Sequence, residues 1–244
     1  MLAIYKREMR AYFTSPIGYI YIAAYLAVSG FLFSLFTVQS ALSGGNIDLG
    51  MYYTMLIFVF AIIVPLLTMK SLSEERKMKT EQLLLSAPVS LPSMVMAKFL
   101  SAYTMFGVTY LVSCLNTYVL FRYQPDAIVL PNLRVTILGF SIAILLLGAA
   151  FVAIGIFVSS LTENQIIAVI GTLAILIFSL LCNALNQFID SAAIRSVLNW
   201  ISVFGRFTNF TQGVFDYASV AYYASITFVF LFLTVRIYEK RRWN

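Results

Sequence analysis

Six long runs without a single Asp, Glu, Lys or Arg divide this chain, at residues 17–47, 49–69, 99–121, 135–162, 164–189 and 217–235. A helix rises about 1.5 Å per residue, so about 20 apolar residues cross a hydrocarbon core of about 30 Å. The pattern therefore predicts an all-α membrane protein with six spanning helices. The intervals between the runs predict the connections. "QSALSGGNIDLG" is short and Gly-rich, and "RYQPDAIVLPNLR" carries two prolines that argue against regular structure. "SSLTENQ" is so tight that spans 4 and 5 are expected to be antiparallel neighbours.

The last connection, residues 186–219, is long and rich in apolar residues, among them Phe188, Ile194, Trp200, Phe204, Phe207 and Phe215. A freely solvated loop would not carry these. Short outer helices that cap the bundle or dip into the outer leaflet are expected here. Tyr217, Tyr222 and Tyr223 would anchor span 6 at the outer interface and Trp243 its tail at the inner one.

Two polar stretches show helical periodicity. In residues 1–16, Leu2, Tyr5, Met9, Tyr12 and Phe13 share one face, with Lys6, Arg7 and Arg10 on the other. That suits an amphipathic helix lying at the membrane interface, its basic residues facing anionic head groups. Pro16 and Gly18 then let the chain turn into span 1. The second stretch, residues 70–98, is "KSLSEERKMKTEQLLLSAPVSLPSMVMAK". Ser71 with Glu74 has capping-box spacing, and residues 72–87 hold no Gly or Pro. Pro88 and Pro92 break the pattern before Lys98 opens span 3. Leu83, Leu84, Leu85 and Ala87 would face the bundle or a partner. "EERKMKTEQ" would stand exposed, as a solvated interfacial helix or as a lever for a motor.

Small residues recur on two spans. Ala23, Ala27, Gly30 and Ser34 lie on one face of span 1, and span 4 carries Gly139, Ala143, Gly148, Gly155 and Ser159. Such stripes let helices approach closely, within one subunit or between two. The spacing alone does not choose.

Composition agrees with the patterning: 61% of residues are hydrophobic and 11% charged, against about 25% charged in soluble proteins. With six spans both termini share a side, which holds Lys6, Arg7, Arg10, Lys70, Arg76, Lys77, Lys79, Lys98, Arg236, Lys240, Arg241 and Arg242. Only Arg122, Arg134, Arg195 and Arg206 lie opposite. The positive-inside rule thus predicts cytoplasmic termini and a cytoplasmic 70–98 segment. This bias accounts for the net charge of +6 without any nucleic-acid partner. The basic N-terminus precedes an apolar run too long for a signal peptide, so a retained first helix is expected. Cys114 and Cys182 fall inside spans 3 and 5, where cysteine usually serves packing.

Catalytic chemistry is sparse. There is no histidine, no ionisable residue inside the runs and no G-x-x-x-x-G-K-[ST] loop. An enzyme or an ion-coupled carrier would normally show more. The chain is expected to bind no cofactor directly.

"SEERKMKTEQLLLSAPVSLPSMVMAKFL" resembles the linker between helices 2 and 3 of ABC-2-type transporter permeases. The matching positions are Glu75 and Arg76, Thr80, Leu83 and Leu84, Pro88 and Lys98. The C-terminal part is similar to the gliding-motility (GldF-like) branch, with Gly213, Val214 and Asp216 before the last helix and Arg241, Arg242 and Trp243 after it. One position departs from the pattern. The family often has Gly before the Thr, where this chain has Lys79, so an unbroken helix from about Ser73 to Ala87 is expected.

The resemblance implies a single permease domain, residues 1–244, of an ATP-driven exporter in a bacterial inner membrane. The 70–98 segment would be a coupling helix seated on a separate ATP-binding cassette subunit, which binds ATP and Mg. Ser73, Glu74, Glu75, Arg76, Lys77, Thr80, Glu81 and Leu84 are the coupling candidates, flanked by the interfacial helix with Lys6, Arg7 and Arg10. A second permease copy or paralogue would complete the path along helices 1, 2 and 5, with Ala23, Ala27, Gly30, Ser34 and Asn183 near the dimer interface. The outer helices would form an extracellular gate, and the few charges along the path suggest an amphipathic or lipid-like cargo. A subunit that transmits ATPase work without moving cargo, and a membrane scaffold with no ATPase, are the alternatives. Charge reversal at Glu75 and Arg76 is expected to uncouple ATP hydrolysis while leaving the bundle intact.

Overall fold

The computed structural model describes residues 1–39, 49–82, 89–123, 133–185, 195, 200, 202–211 and 216–243. Its regular structure is helical: α1 Leu2–Thr14, α2 Pro16–Phe33, α3 Leu49–Thr68, α4 Lys70–Lys77, α5 Leu91–Tyr123, α6 Leu133–Leu161, α7 Gln165–Leu185, α8 Val203–Thr211 and α9 Tyr217–Trp243. A π-helical turn, Ser34–Val38, prolongs α2. Six helical stretches are long and apolar enough to cross a membrane, beginning at Pro16, Leu49, Leu91, Ile137, Gln165 and Tyr217. These correspond to the six uncharged runs.

The turn from α1 into α2 follows from proline chemistry. Pro16 stands in the first turn of α2, where its missing N–H costs nothing, and it holds Ser15 in an extended conformation (φ −97°, ψ 151°). α2 therefore leaves α1 at an angle, and the Tyr12 carbonyl sits where a Cβ on residue 18 would be. Gly18 is the residue that allows this approach.

α6 is the central post. About 67% of its apolar window is buried, against 22% for α9, 28% for α2 and 33% for α7. It packs against α3, α5, α7, α8 and α9. The span 4 stripe serves this packing: a Cβ on Gly148 would run into the Phe106 ring and one on Gly155 into Thr68. The span 1 stripe does the opposite. Ala23, Ala27 and Ser34 are exposed, and nothing lies within 4 Å of a Cβ placed on Gly30. Two stripes that look alike in sequence thus divide, one inside the subunit and one on its surface.

Hydroxyl pairs join the spans where apolar contact alone would leave polar atoms stranded. Tyr25 and Ser113 lie 3.0 Å apart, and Tyr110 donates to Ser141 at 3.1 Å. Cys114 and Cys182 are free thiols, half-buried and buried. At the end away from the termini, α8 is clamped by span 6. The Tyr223 hydroxyl donates to the Val203 carbonyl at 2.8 Å, and the Arg206 guanidinium lies 4.3 Å from the Tyr222 ring centroid. Tyr222 and Tyr223 therefore face the protein rather than anchoring at an interface, while Tyr217 is exposed. Most of the remaining 186–219 connection, and the Trp243 side chain, lie outside the described residues.

Two expectations for the 70–98 segment are overturned. No capping box forms at Ser71, because α4 follows α3 with only Met69 between them, and Met69 itself keeps helical angles. A helix already in progress leaves no free N–H groups for Ser71 to cap. Nor is the helix unbroken to Ala87. It ends at Lys77, and Lys79 takes φ 55°. The Lys79 N–H bonds the Arg76 carbonyl at 3.1 Å and the Thr80 N–H bonds the Glu75 carbonyl at 3.0 Å. This is a Schellman ending, whose left-handed position usually holds glycine. Lys79 occupies it at a cost of about 1–2 kcal/mol. The Thr80 hydroxyl adds a bond to the same Glu75 carbonyl at 3.2 Å. Leu83, Leu84, Leu85, Ala87 and Pro88 lie outside the described residues.

Candidate functional site

The charged residues of the terminus-bearing end converge on α4. Glu75 points inward, its Oε1 2.9 Å from Lys98 Nζ on α5 and 2.7 Å from Arg7 Nη2 on α1. Glu8, one residue after Arg7, accepts from Arg7 at 2.8 Å and from Lys98 at 3.1 Å. Lys98 is only 1% exposed and donates a third bond, to the Ser71 carbonyl at 2.7 Å. All three ammonium donors are thus used, and two cations face two carboxylates. Burial alone would raise the Glu8 carboxyl, but Lys98 and Arg7 outweigh it and hold that group below its ordinary range.

The other side of α4 is tied to α6. Ser159 accepts from the backbone N–H groups of Leu72 and Ser73 at 3.2 and 3.1 Å and donates to the Met69 carbonyl at 3.1 Å. One hydroxyl thereby serves three backbone groups at the α3–α4 junction. Arg76 donates to the Leu161 carbonyl at 2.9 Å, and its Nε lies 2.9 Å from Glu163 in the α6–α7 turn. Beyond the Schellman ending, Glu81 meets Arg241 of α9 at 3.1 Å, and Arg241 also donates to the Ser160 carbonyl at 2.6 Å.

Segment 70–82 is therefore a hub joining α1, α5, α6, the α6–α7 turn and α9. The expectation that "EERKMKTEQ" stands wholly exposed needs correction. Ser73 is fully buried, and Glu75, Arg76 and Glu81 are partly buried, all held by this chain's own residues. Lys77, Met78, Lys79, Thr80 and Gln82 are exposed. Glu74 is partly exposed, 3.9 Å from Lys70. On α1, Lys6 and Arg10 are exposed, whereas Arg7 is engaged with Glu8 and Glu75 rather than turned only to head groups. Leu84 and the Asn183 side chain lie outside the described residues.

Sequence reasoning missed Glu8, Ser159, Glu163 and the role of Arg241. A signal existed for the first: Glu8 is the one acidic residue before Asp48, and Lys98 borders an apolar run where a cation needs a carboxylate. Ser159 carried no such signal, since it stood in the span 4 stripe as a mere small residue.

No group of His, Cys, Asp or Glu among the described residues is placed to hold a metal. The arrangement instead ties segment 70–82 to α1, α5, α6, the α6–α7 turn and α9 through short ionic and hydrogen bonds. No curated protein matches this chain. The family described as ABC-2 family transporter protein matches residues 3–241, nearly its full length. With six candidate spans behind it, the match decides the matter: this chain belongs to the ABC-2 family of transporter proteins.

Proposed function

We propose that the chain is the permease subunit of an ATP-driven exporter of the gliding-motility (GldF-like) branch, working as a pair with a second copy or a paralogue. ATP and Mg are bound by separate ATP-binding cassette subunits, and the chain itself hydrolyses nothing. It sits in a bacterial inner membrane with both termini and α4 in the cytoplasm. The observation that carries this reading is the hub at α4, a charged lever fastened to α1, α5, α6 and α9 that leaves one exposed turn for a partner.

In this reading the ATPase seats against Lys77, Met78, Lys79 and Thr80, with Glu74 beside them. Glu75, Arg76 and Glu81 couple by holding the lever to the bundle, not by touching the motor. Closure of the ATPase pair pushes the turn, and the hub moves α1 and the spans together. The outward stripe Ala23, Ala27, Gly30 and Ser34 meets the second permease, and α2, α3 and α7 line the path. The cargo is amphipathic or lipid-like, because these spans carry no charged side chain.

Mild-detergent purification from native membranes, followed by mass spectrometry, tests this. A stoichiometric ATP-binding cassette ATPase should accompany the wild-type chain and be lost in Lys77→Glu/Lys79→Glu, with the permease still folded. Recovery without any such ATPase under several gentle conditions would overturn the reading in favour of a scaffold.

A further inference from the structure

The outward surface of α9 is creased where it meets the start of α5. A groove of about 240 Å³ runs there between Pro92 and Met96 on one wall and Phe228 and Phe232 on the other, floored by Leu231. Met96, Phe228 and Phe232 are 40%, 70% and 45% exposed, so the crease opens outward, toward the acyl chains of a bilayer. From Phe228 to Arg236 the wall runs eight residues along α9, about 12 Å at 1.5 Å per residue. A helix about 10–12 Å across cannot enter so small a crease, but a hydrocarbon chain can.

The mouth of the groove carries two opposite charges side by side. Arg236 Nη1 lies 2.6 Å from Glu239 Oε2, and its guanidinium sits 4.8 Å from the Phe232 ring centroid. Both side chains remain partly exposed, at 60% and 37%. A guanidinium has five N–H donors and a carboxylate several acceptor sites, so each can take a further partner. The matching ligand has an apolar chain for the groove, a phosphate for Arg236 and a hydrogen-bonding ammonium for Glu239. A trimethylammonium headgroup has no N–H to donate. A purely anionic headgroup would leave Glu239 as a repulsive neighbour.

We propose that this groove is a binding site for one zwitterionic phospholipid with a primary ammonium headgroup, taken from the leaflet on the terminus-bearing side. The phosphate accepts from Arg236, the ammonium donates to Glu239, and one acyl chain lies along Phe228–Phe232. The site stands apart from the α4 hub and does not depend on the identity of any motor.

The test is native mass spectrometry of the full chain purified from vesicles of equal parts phosphatidylethanolamine, phosphatidylcholine and phosphatidylglycerol. One phosphatidylethanolamine should remain bound, favoured over phosphatidylcholine roughly three- to tenfold, as one net hydrogen bond at a partly exposed site would give. Glu239→Gln should erase the preference over phosphatidylcholine, Arg236→Gln should lower retention of every phospholipid, and Met96→Trp should fill the groove and displace the lipid. Bound lipid in the same proportions as the membrane, a preference for phosphatidylglycerol, or retention unchanged in Met96→Trp would each overturn the proposal.

Discussion

Lys98→Met removes one charge from the base of the bundle while keeping an apolar stem of similar length. The lost ammonium makes bonds of 3.1 Å to Glu8, 2.9 Å to Glu75 and 2.7 Å to the Ser71 carbonyl, with Lys98 itself 1% exposed. Hydrogen bonds to charged groups contribute about 1.5–3 kcal/mol each, which gives an upper bound near 5–9 kcal/mol. Arg7 stays 2.7 Å from Glu75 and 2.8 Å from Glu8 and recovers part of this. Removing one partner of a buried ion pair costs about 3–5 kcal/mol, and that is the loss expected here. At about 2–4 °C per kcal/mol for a chain of this size, the unfolding midpoint should fall by about 6–20 °C. The buried Cys182 and half-buried Cys114 supply the assay, since a thiol-reactive dye reports their exposure on heating in detergent. Lys77→Met, at an exposed position, should change stability by no more than about 0.5 kcal/mol. Adding Glu75→Gln to Lys98→Met removes a carboxylate left with Arg7 as its remaining cation and should recover part of the loss, a coupling that a double-mutant cycle measures. A midpoint for Lys98→Met within the range of Lys77→Met would refute the hub.

Further outcomes follow from the same geometry. Gly155→Leu should lower the midpoint strongly, because even a Cβ there meets Thr68, and overpacking typically costs about 1–3 kcal/mol. Gly30→Leu should leave the single subunit as stable as wild type, its Cβ being in open space, and weaken only association, read by crosslinking in membranes. Lys79→Gly should keep or raise stability by up to about 1 kcal/mol, whereas Lys79→Val should lower it, because a β-branched residue resists φ 55°. The pH dependence has a definite sign at Glu8. Its folded pKa lies below the ordinary 4.5, so its contribution is complete above about that pH and is lost as pH falls through the lower folded value. The thermal midpoint should fall steeply on acidification below that window, and Glu8→Gln should flatten the fall.

Spans were legible because membrane burial demands long uncharged runs, and nothing local competes with that signal. The turn at Ser15–Pro16 and the approach at Gly18 were legible for the same kind of reason, since Pro and Gly restrict or free the backbone directly. The direction in which side chains point was not. Glu75 and Arg76 look like surface charges in "SEERKMK", yet Lys98 lies 23 residues further on and Glu8 67 residues before. Only packing brings them together, and it ties Glu75 and Arg76 to residues of this same chain. Reversing their charges is therefore expected to destabilise the bundle itself, where the sequence alone predicts that it stays intact. Lys79 misled for a different reason. Its propensity favours helix, but the Schellman bonds of Lys79 and Thr80 to Arg76 and Glu75 outweigh one unfavourable φ. The two small-residue stripes could not be told apart either, because spacing records which face is small and not what lies against it.

In the proposed function α4 is a lever whose exposed turn meets a motor while its charged flank holds the bundle. A photo-crosslinking amino acid placed at Met78, and in a separate variant at Val108 on the outward face of α5, tests it in native membranes. The Met78 probe should capture an ATP-binding cassette ATPase, and the Val108 probe should not. Capture of no such ATPase from Met78, with the chain correctly inserted, would contradict it.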